Sequence, residues 1–537
     1  MTATATHRGV RMAAVTLIAL GVWLVCAEGL ARRPAAVRPQ SSSARRAPPP
    51  RHHKTSSWRL PGPLRRVARR MQNSRHWPRR LGGRLADMVV VSDLHLGEGK
   101  HAGRWSKREH FRAQRHFDDM VSYLLRRQRR AGGRRLKLVL AGDTIDFLLV
   151  VRPPRGERIG APGPRRDHSP TASIALQKLR RVAGQHRPFF STLRRVLRDG
   201  HDVVINIGNH DQELSFPAVQ RELRKLVTGG RRAGGKLTIE PLLHVHGQVL
   251  VEHGHRYDAV NNVKFPLHPF KTDSAGQRRL RPAAGSYFVA EVVNKVRERL
   301  PAQMRVRAIA DLWQYLRRAP RALGNIVGWA ATMSDRTGPL APGDEQRMRR
   351  AHRAVFDRIA GSKQLRQAIN DSRRAHGKPP LSKRQVRQLM ERYQDLEAEP
   401  FLHSKPKKEL RTRLRQAARM LAPGTLATWL NPRRGSTLRQ GQAFVLEHLA
   451  NVMVTGHTHH PFHYQLRRAG RVQHLVNSGT WVPESGPTGK LTFVDIRQTD
   501  ARPRVLLRRW SVEKGRPVRL EHRTFAEGQF PSKAQVH

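Results

Sequence analysis

Short, unbroken apolar runs punctuate this chain, and longer stretches with apolar residues three and four apart lie between them. The runs are "ADMVVVSD", "RLKLVLAGD", "VVINIGNHD", "GQVLVEHGH", "NVMVTGHTHHPF", "HLVNSGTW" and "LTFVDI". Each has the length and β-branched content of a strand buried on both faces. Between them, "HFDDMVSYLLRRQRR" and "SIALQKLRRVAGQHRPFFSTLRRVLRDG" carry helical spacing. Alternating strands and helices predict an α/β fold with a parallel-rich sheet covered on both faces. From about residue 269 to 441 the texture changes. Helical patterns dominate there ("VAEVVNKVRERL", "IADLWQYLRRAPRAL", "MRRAHRAVFDRIAG", "RQVRQLMERYQDLEA"), split by Pro and Gly, and strand signals vanish until Val452. The expected organisation is a domain in two parts, 85–268 and 442–537, around a basic helical insertion, 269–441. The insertion mixes apolar stretches ("LWQYL", "NIVGWAA") with Arg-rich ones. That suits a lid or a surface for anionic membranes, and equally an ordinary helical subdomain.

The N-terminal pattern is different again. Arg8 and Arg11 precede an uncharged run, "MAAVTLIALGVWLVCA", so residues 1–31 read as a signal peptide or membrane-anchor-like segment. The run is short for a spanning helix, which needs about 20 apolar residues. The arginines after it (Arg32, Arg33, Arg38) resist export. A chain that began at Met71 would lack the segment and stay cytoplasmic; otherwise the protein is membrane-associated or exported. Residues 32–84, rich in Pro, Arg and Ser, read as a disordered linker.

Charge adds one constraint and cysteine another. Lys+Arg number 102 against 40 Asp+Glu, a formal +62. The excess favours anionic partners: an anionic membrane surface, a phosphorylated small-molecule or lipid substrate, or nucleic acid. The basic residues are spread along the chain without an aromatic ladder, so nucleic acid is the least favoured of these. An arginine-coated, solvated surface accounts for the same excess. Cys26 is the single cysteine, which excludes a disulfide framework and a cysteine-based zinc site.

Candidate chemistry sits where the strands end. Five runs deliver polar side chains at their carboxyl ends: Asp93-Leu94-His95, Gly142-Asp143 with Asp146, Gly208-Asn209-His210-Asp211, Glu252-His253-Gly254-His255 and Gly456-His457-Thr458-His459. In open α/β sheets, functional groups gather outside those ends. Each motif alone reads as turn chemistry, with Gly-Asn and His-Asp as good turn formers. Five together point to a site. Histidine, carboxylate and amide ligands suit borderline metals such as Mn, Fe or Zn. Two such ions about 4 Å apart clamp the attacking and leaving oxygens of a phosphoryl transfer.

The ordered set Asp-x-His, Gly-Asp-x-x-Asp, Gly-Asn-His-Asp, His, Gly-His-x-His resembles the calcineurin-like metallophosphoesterases, over roughly residues 85–270 and 445–500. The resemblance implies a β-sheet sandwich flanked by helices and a dinuclear-metal phosphoester hydrolase. It implies that Asp93, His95 and His459 bind one divalent ion, Asn209, His253 and His457 the other, and Asp143 both. A metal-bridging hydroxide would attack phosphorus. Asn209 and His210 would touch substrate, His210 as general acid, with Asp146 holding its charged form. Asp211 needs only a turn or cap role. "SDLHLG", the His-Gly at 253–254 and the helical insertion look like the branch containing the UDP-2,3-diacylglucosamine pyrophosphatases. This chain departs from that branch, having His210 where the branch has Arg, His255 where it has Asp, and a longer insertion. Two other classes compete. One is a metallo-β-lactamase-type hydrolase, whose His-x-His-x-Asp-His is lacking in "GHTHHPF". The other is a basic nucleic-acid- or membrane-surface-binding protein with an incidental catalytic fold, which would be expected to have lost a ligand.

Overall fold

The structure, a computed structural model, describes residues 85–150, 170–230, 233–273, 275–294, 343–375, 377–397, 436–468, 471–482, 490–499 and 503–525. The N-terminal segment, the linker and the stretches "LWQYL" and "NIVGWAA" lie outside the described residues. No helix among the described residues is long and apolar enough to cross a membrane.

Strands β1 (Asp87–Val91), β2 (Leu136–Ala141), β3 (Asp202–Asn206), β4 (Leu237–Glu240), β5 (Leu243–His246) and β6 (Val249–Glu252) precede the helical segment. Strands β7 (Val452–Thr455), β8 (Phe462–Arg468), β9 (Arg471–Asn477), β10 (Thr492–Arg497), β11 (Arg504–Ser511), β12 (Arg516–Arg519) and β13 (Arg523–Phe525) follow it. They form two mixed sheets, ordered β12-β11-β10-β1-β2-β3-β4 and β13-β8-β9-β7-β6-β5. In the first, β1 to β4 run parallel and β10 to β12 close the edge antiparallel. In the second, β7 lies parallel between β6 and β9.

Alternate residues of each strand explain the unbroken apolar runs. Met88, Val90, Val139 and Val204 of the first sheet pack on Val249, Val251, Val452, Val454 and Val476 of the second. Val89, Val91, Leu138, Leu140, Val203 and Ile205 point the other way, into helices α1 (Gln114–Arg130), α2 (Ala172–Gln185), α3 (Arg187–Arg198) and α4 (Pro217–Thr228). Both faces of these strands are buried, so neither can be polar. The fold class is therefore mixed α/β, as the pattern predicts, but the single parallel-rich sheet is corrected to two mixed sheets packed face to face. A run of Val and Ile encodes burial, not the identity or direction of the pairing strand.

The segment 269–441 is also corrected in part. It contains a short hairpin, Phe270–Thr272 with Arg278–Leu280, where no strand signal was legible. Three of its described helices, α5 (Asp344–Ala360), α6 (Lys363–Ala375) and α7 (Lys383–Gln394), cover the outer face of the second sheet. Phe356, Ile369, Val386, Met390 and Tyr393 share one apolar cluster with Leu250, Met453 and Leu475. These helices are core-building, so this part of the segment is a layer of the fold rather than a detachable lid. The helical stretch 173–200 is two helices, broken at His186, with Pro188 in the first turn of α3.

Candidate metal centre

The carboxyl ends of β1, β2, β3, β6 and β7 meet, and every proposed ligand lies in the turn just beyond one of them. Backbone strain marks the same place. Among the described residues, eight non-glycine positions have positive φ, and five of them are Asp93 (φ 53), His95 (52), Asp143 (50), His457 (68) and His459 (58). Left-handed backbone is costly for a residue with a Cβ, and it persists where the surroundings over-determine it. Here backbone hydrogen bonds do so: His95 N–H donates to the Asp143 carbonyl (2.9 Å) and Asp93 N–H to that of Gly142 (3.2 Å). His210 N–H donates to Asp143 Oδ1 (2.9 Å) and His457 N–H to Asp93 Oδ2 (3.0 Å). Asp211, fully buried, accepts from the N–H groups of Thr144 (2.9 Å) and Gly208 (2.5 Å), so it braces the turns rather than capping a helix. Gly208 has no room for a side chain, because a Cβ there would stand 2.2 Å from Asp143 Oδ1.

Two ligand groups result. His95 Nε2 and His459 Nε2 are 3.1 Å apart, and Asp93 Oδ1 lies 3.8 Å from the first and 3.3 Å from the second. His253 Nε2 lies 3.1 Å from Asn209 Oδ1 and 3.3 Å from Asp143 Oδ2. Asp143 Oδ2 is also 3.7 Å from His95 Nε2, which puts this carboxylate between the groups. His457 packs edge-on against His253, ring centroids 5.3 Å apart, and its Nε2 meets Asp258 Oδ2 at 3.3 Å. The arrangement fits divalent cations. Asp93 Oδ1 is buried without a hydrogen-bond partner, and ring nitrogens and carboxylate oxygens converge on the same small volumes.

Beside the candidate ligands, Asp146 Oδ2 meets two imidazoles, His95 Nδ1 at 2.8 Å and His210 Nδ1 at 2.9 Å. His210 is the more open of the two, its side chain 17% exposed against 4% for His95, so it faces the mouth of the site. Burial alone would raise the pKa of Asp146, but His210 and His95 hold it well below the usual carboxylate range. Burial opposes charge on His95 as well, yet Asp146 and Asp93 carry its pKa well above the ordinary value. His253 behaves likewise: against burial, Asp143 pushes it up to about 9. His255 goes the opposite way, well below its ordinary value, through burial and then the neighbouring His253 and His457. Burial and the charge of Asp143 raise Asp211 to about 7.

All nine proposed site residues, Asp93, His95, Asp143, Asp146, Asn209, His210, His253, His457 and His459, are thus gathered in one place. Sequence reasoning missed two neighbours and one contact. Asp258 holds His457, and its position after "HGHRY" carries no motif. His110 stands 6.0 Å from His95, centroid to centroid. The contact of Asp146 with His95 was missed too, since the resemblance implies that carboxylate's role only toward His210. Neither protein-family models nor curated proteins provide a match to this chain.

Proposed function

We propose that this protein is a dinuclear-metal-dependent phosphoester hydrolase of the calcineurin-like kind. The observation that carries this is the pairing of two ligand groups about one carboxylate, Asp143, with the Asp146–His210 pair alongside. Two face-to-face sheets flanked by helices support it as well. Asp93, His95 and His459 would hold one ion and Asn209, His253 and His457 the other, with Asp143 shared; Mn, Fe or Zn suit these donors. Bound there, such ions supply Lewis acidity to the phosphoryl oxygens and an acidified water.

The chain's own residues do the rest. Asp146 occupies His210 Nδ1, which leaves Nε2 as the ring nitrogen that, in the imidazolium form, can pass a proton to a leaving oxygen. The same carboxylate fixes the ring of His95, and Asp258 fixes that of His457, which sets the tautomer each ligand presents. The buried turns around Asp93 and Asp143 keep water from competing for these contacts. Purified full-length protein with Mn²⁺ should be screened against aryl phosphomonoesters, aryl phosphodiesters and nucleotide-sugar pyrophosphates. Metal-dependent turnover of at least one is expected, and the preferred class separates a simple phosphoesterase from a lipid-type pyrophosphatase. No turnover of any class by folded, metal-loaded protein would overturn the proposal.

A further inference from the structure

An asparagine can hold a cation through one end of its amide only: the oxygen offers a lone pair, and the NH2 group offers none. Asn209 Oδ1 faces the candidate ligands, 3.1 Å from His253 Nε2, while its Nδ2 donates to Asn261 Oδ1 at 3.3 Å. Asn261 is an amide as well, so this contact orients Asn209 only if Asn261 is oriented in turn. A carboxylate does that: Asn261 Nδ2 donates to Asp258 Oδ2 at 2.7 Å. An ionised carboxylate accepts and cannot donate. It draws the NH2 group of Asn261 toward itself, which presents the Asn261 oxygen to Asn209 Nδ2 and the Asn209 oxygen to the site. The direction of two amides thus descends from one buried aspartate.

The turn that carries both residues is tightly bound. The N–H groups of Asn261 and Asn262 donate to the Asp258 carbonyl at 3.0 and 2.8 Å, and Val260 N–H donates to Asp258 Oδ1 at 3.0 Å. The short helix Ala284–Phe288 closes on the turn: Gly285 N–H donates to the Val260 carbonyl at 2.9 Å. A Cβ at Gly285 would stand 2.3 Å from Asn261 Oδ1, so only glycine leaves that oxygen where it is. Asp258 Oδ2 also meets His457 Nε2 at 3.3 Å, and the turn therefore reaches both Asn209 and His457, two residues assigned to the same ion. We infer that Asn261 is a positioning residue for that ion, holding the Asn209 amide with its oxygen inward, under the direction of Asp258. The inference rests on the dinuclear reading above. The ion assigned to Asp93, His95 and His459 should be indifferent to Asn261, because a carboxylate and imidazoles have no amide to orient.

The test is calorimetric titration of metal-free, full-length protein with Zn²⁺. Wild type should take up two ions. Asn261→Ala should leave one affinity as it was and weaken the other about 10–100-fold. Gly285→Ala should do the same from outside the turn, since its Cβ displaces the far end of the Asn261 side chain rather than backbone, and it decides the matter if Asn261→Ala does not fold. A role in orienting the amide is separated from a merely structural one by Asn209→Asp. A carboxylate presents oxygen whichever way it turns, so adding Asn261→Ala to Asn209→Asp should weaken neither ion further. Two unchanged affinities in folded Asn261→Ala, or the same loss with and without Asn209→Asp, would overturn the inference and leave the dinuclear reading standing. Fewer than two ions in wild type would overturn that reading and this inference with it.

Discussion

Replacing Asp146 with Asn should damage two functions at once. One oxygen, Asp146 Oδ2, now meets the Nδ1 atoms of both His95 (2.8 Å) and His210 (2.9 Å), and the carboxylate is fully buried. An amide oxygen can accept both N–H groups but carries no charge, and its NH2 would then face the Leu148 N–H that Oδ1 now accepts (3.1 Å). Hydrogen bonds to charged groups are worth about 1.5–3 kcal/mol. At 1.36 kcal/mol per decade that is roughly a 10- to 100-fold effect on each histidine. Loss of an orienting partner typically costs about the same factor in metal affinity. Metal affinity should therefore fall about 10–100-fold through His95. Turnover of an alkyl ester should fall further through His210, because a poor leaving group needs the proton. The assay is a metal titration of turnover with an activated aryl ester and an alkyl ester. Excess metal should restore the aryl reaction but not the alkyl one. Unchanged metal affinity would refute the link to His95, and full rescue of the alkyl ester would refute the link to His210.

Other substitutions separate the remaining roles. Asp143→Asn removes the carboxylate between the two ligand groups; bound metal and activity should both be lost, and a variant retaining two ions and normal turnover would contradict the assignment. His210→Ala should keep about two ions per chain by elemental analysis while alkyl-ester turnover drops about 10²–10⁴-fold and aryl-ester turnover far less. Metal binding should tighten as pH rises, because His95 and His253 have raised pKa values and must lose a proton to ligate. Calorimetry in buffers of different ionisation enthalpy should detect protons released on binding, and equal affinity at low and high pH with no release would count against the site. Tyr393→Phe on α7 removes the hydroxyl that donates to buried Glu252 Oε2 at 2.6 Å, so denaturant unfolding should show a loss of about 1–3 kcal/mol.

That last contact shows where the sequence stops being legible. Glu252 precedes the proposed ligand His253, and its two oxygens accept hydroxyls from Tyr257 (2.7 Å) and from Tyr393, 141 residues away. Buried Arg256 stacks on Tyr393 at 4.1 Å. Nothing in "RQVRQLMERYQDLEA" says that its tyrosine reaches back to a strand end, because helical periodicity gives a face and not a partner. The strands that were read had β-branched side chains on both faces, as in "DMVVV". Those that were missed, such as "FHYQLRR" and "RVLLRRWS", interrupt the apolar run with arginines, of which Arg467, Arg504 and Arg509 are exposed. The site was legible for a different reason. Metal and phosphate chemistry admits few residue types, and short turns after strands deliver them in fixed order, so local spacing carries the information. What tunes those residues came from distant segments: Asp258 for His457, and Asp146 shared between two histidines 115 positions apart, 95 and 210. Strain follows the same division. Left-handed φ at Asp93, His95, Asp143, His457 and His459 cannot be read from residue type alone, although Asp and His adopt it more readily than most. It is imposed where the ends of both sheets converge, and the hydrogen bonds from His457 N–H to Asp93 and from His95 N–H to the Asp143 carbonyl are what hold it. The sequence supplies the donors in these turns, and the convergence of two sheets forces them into the close geometry that a pair of cations would relieve.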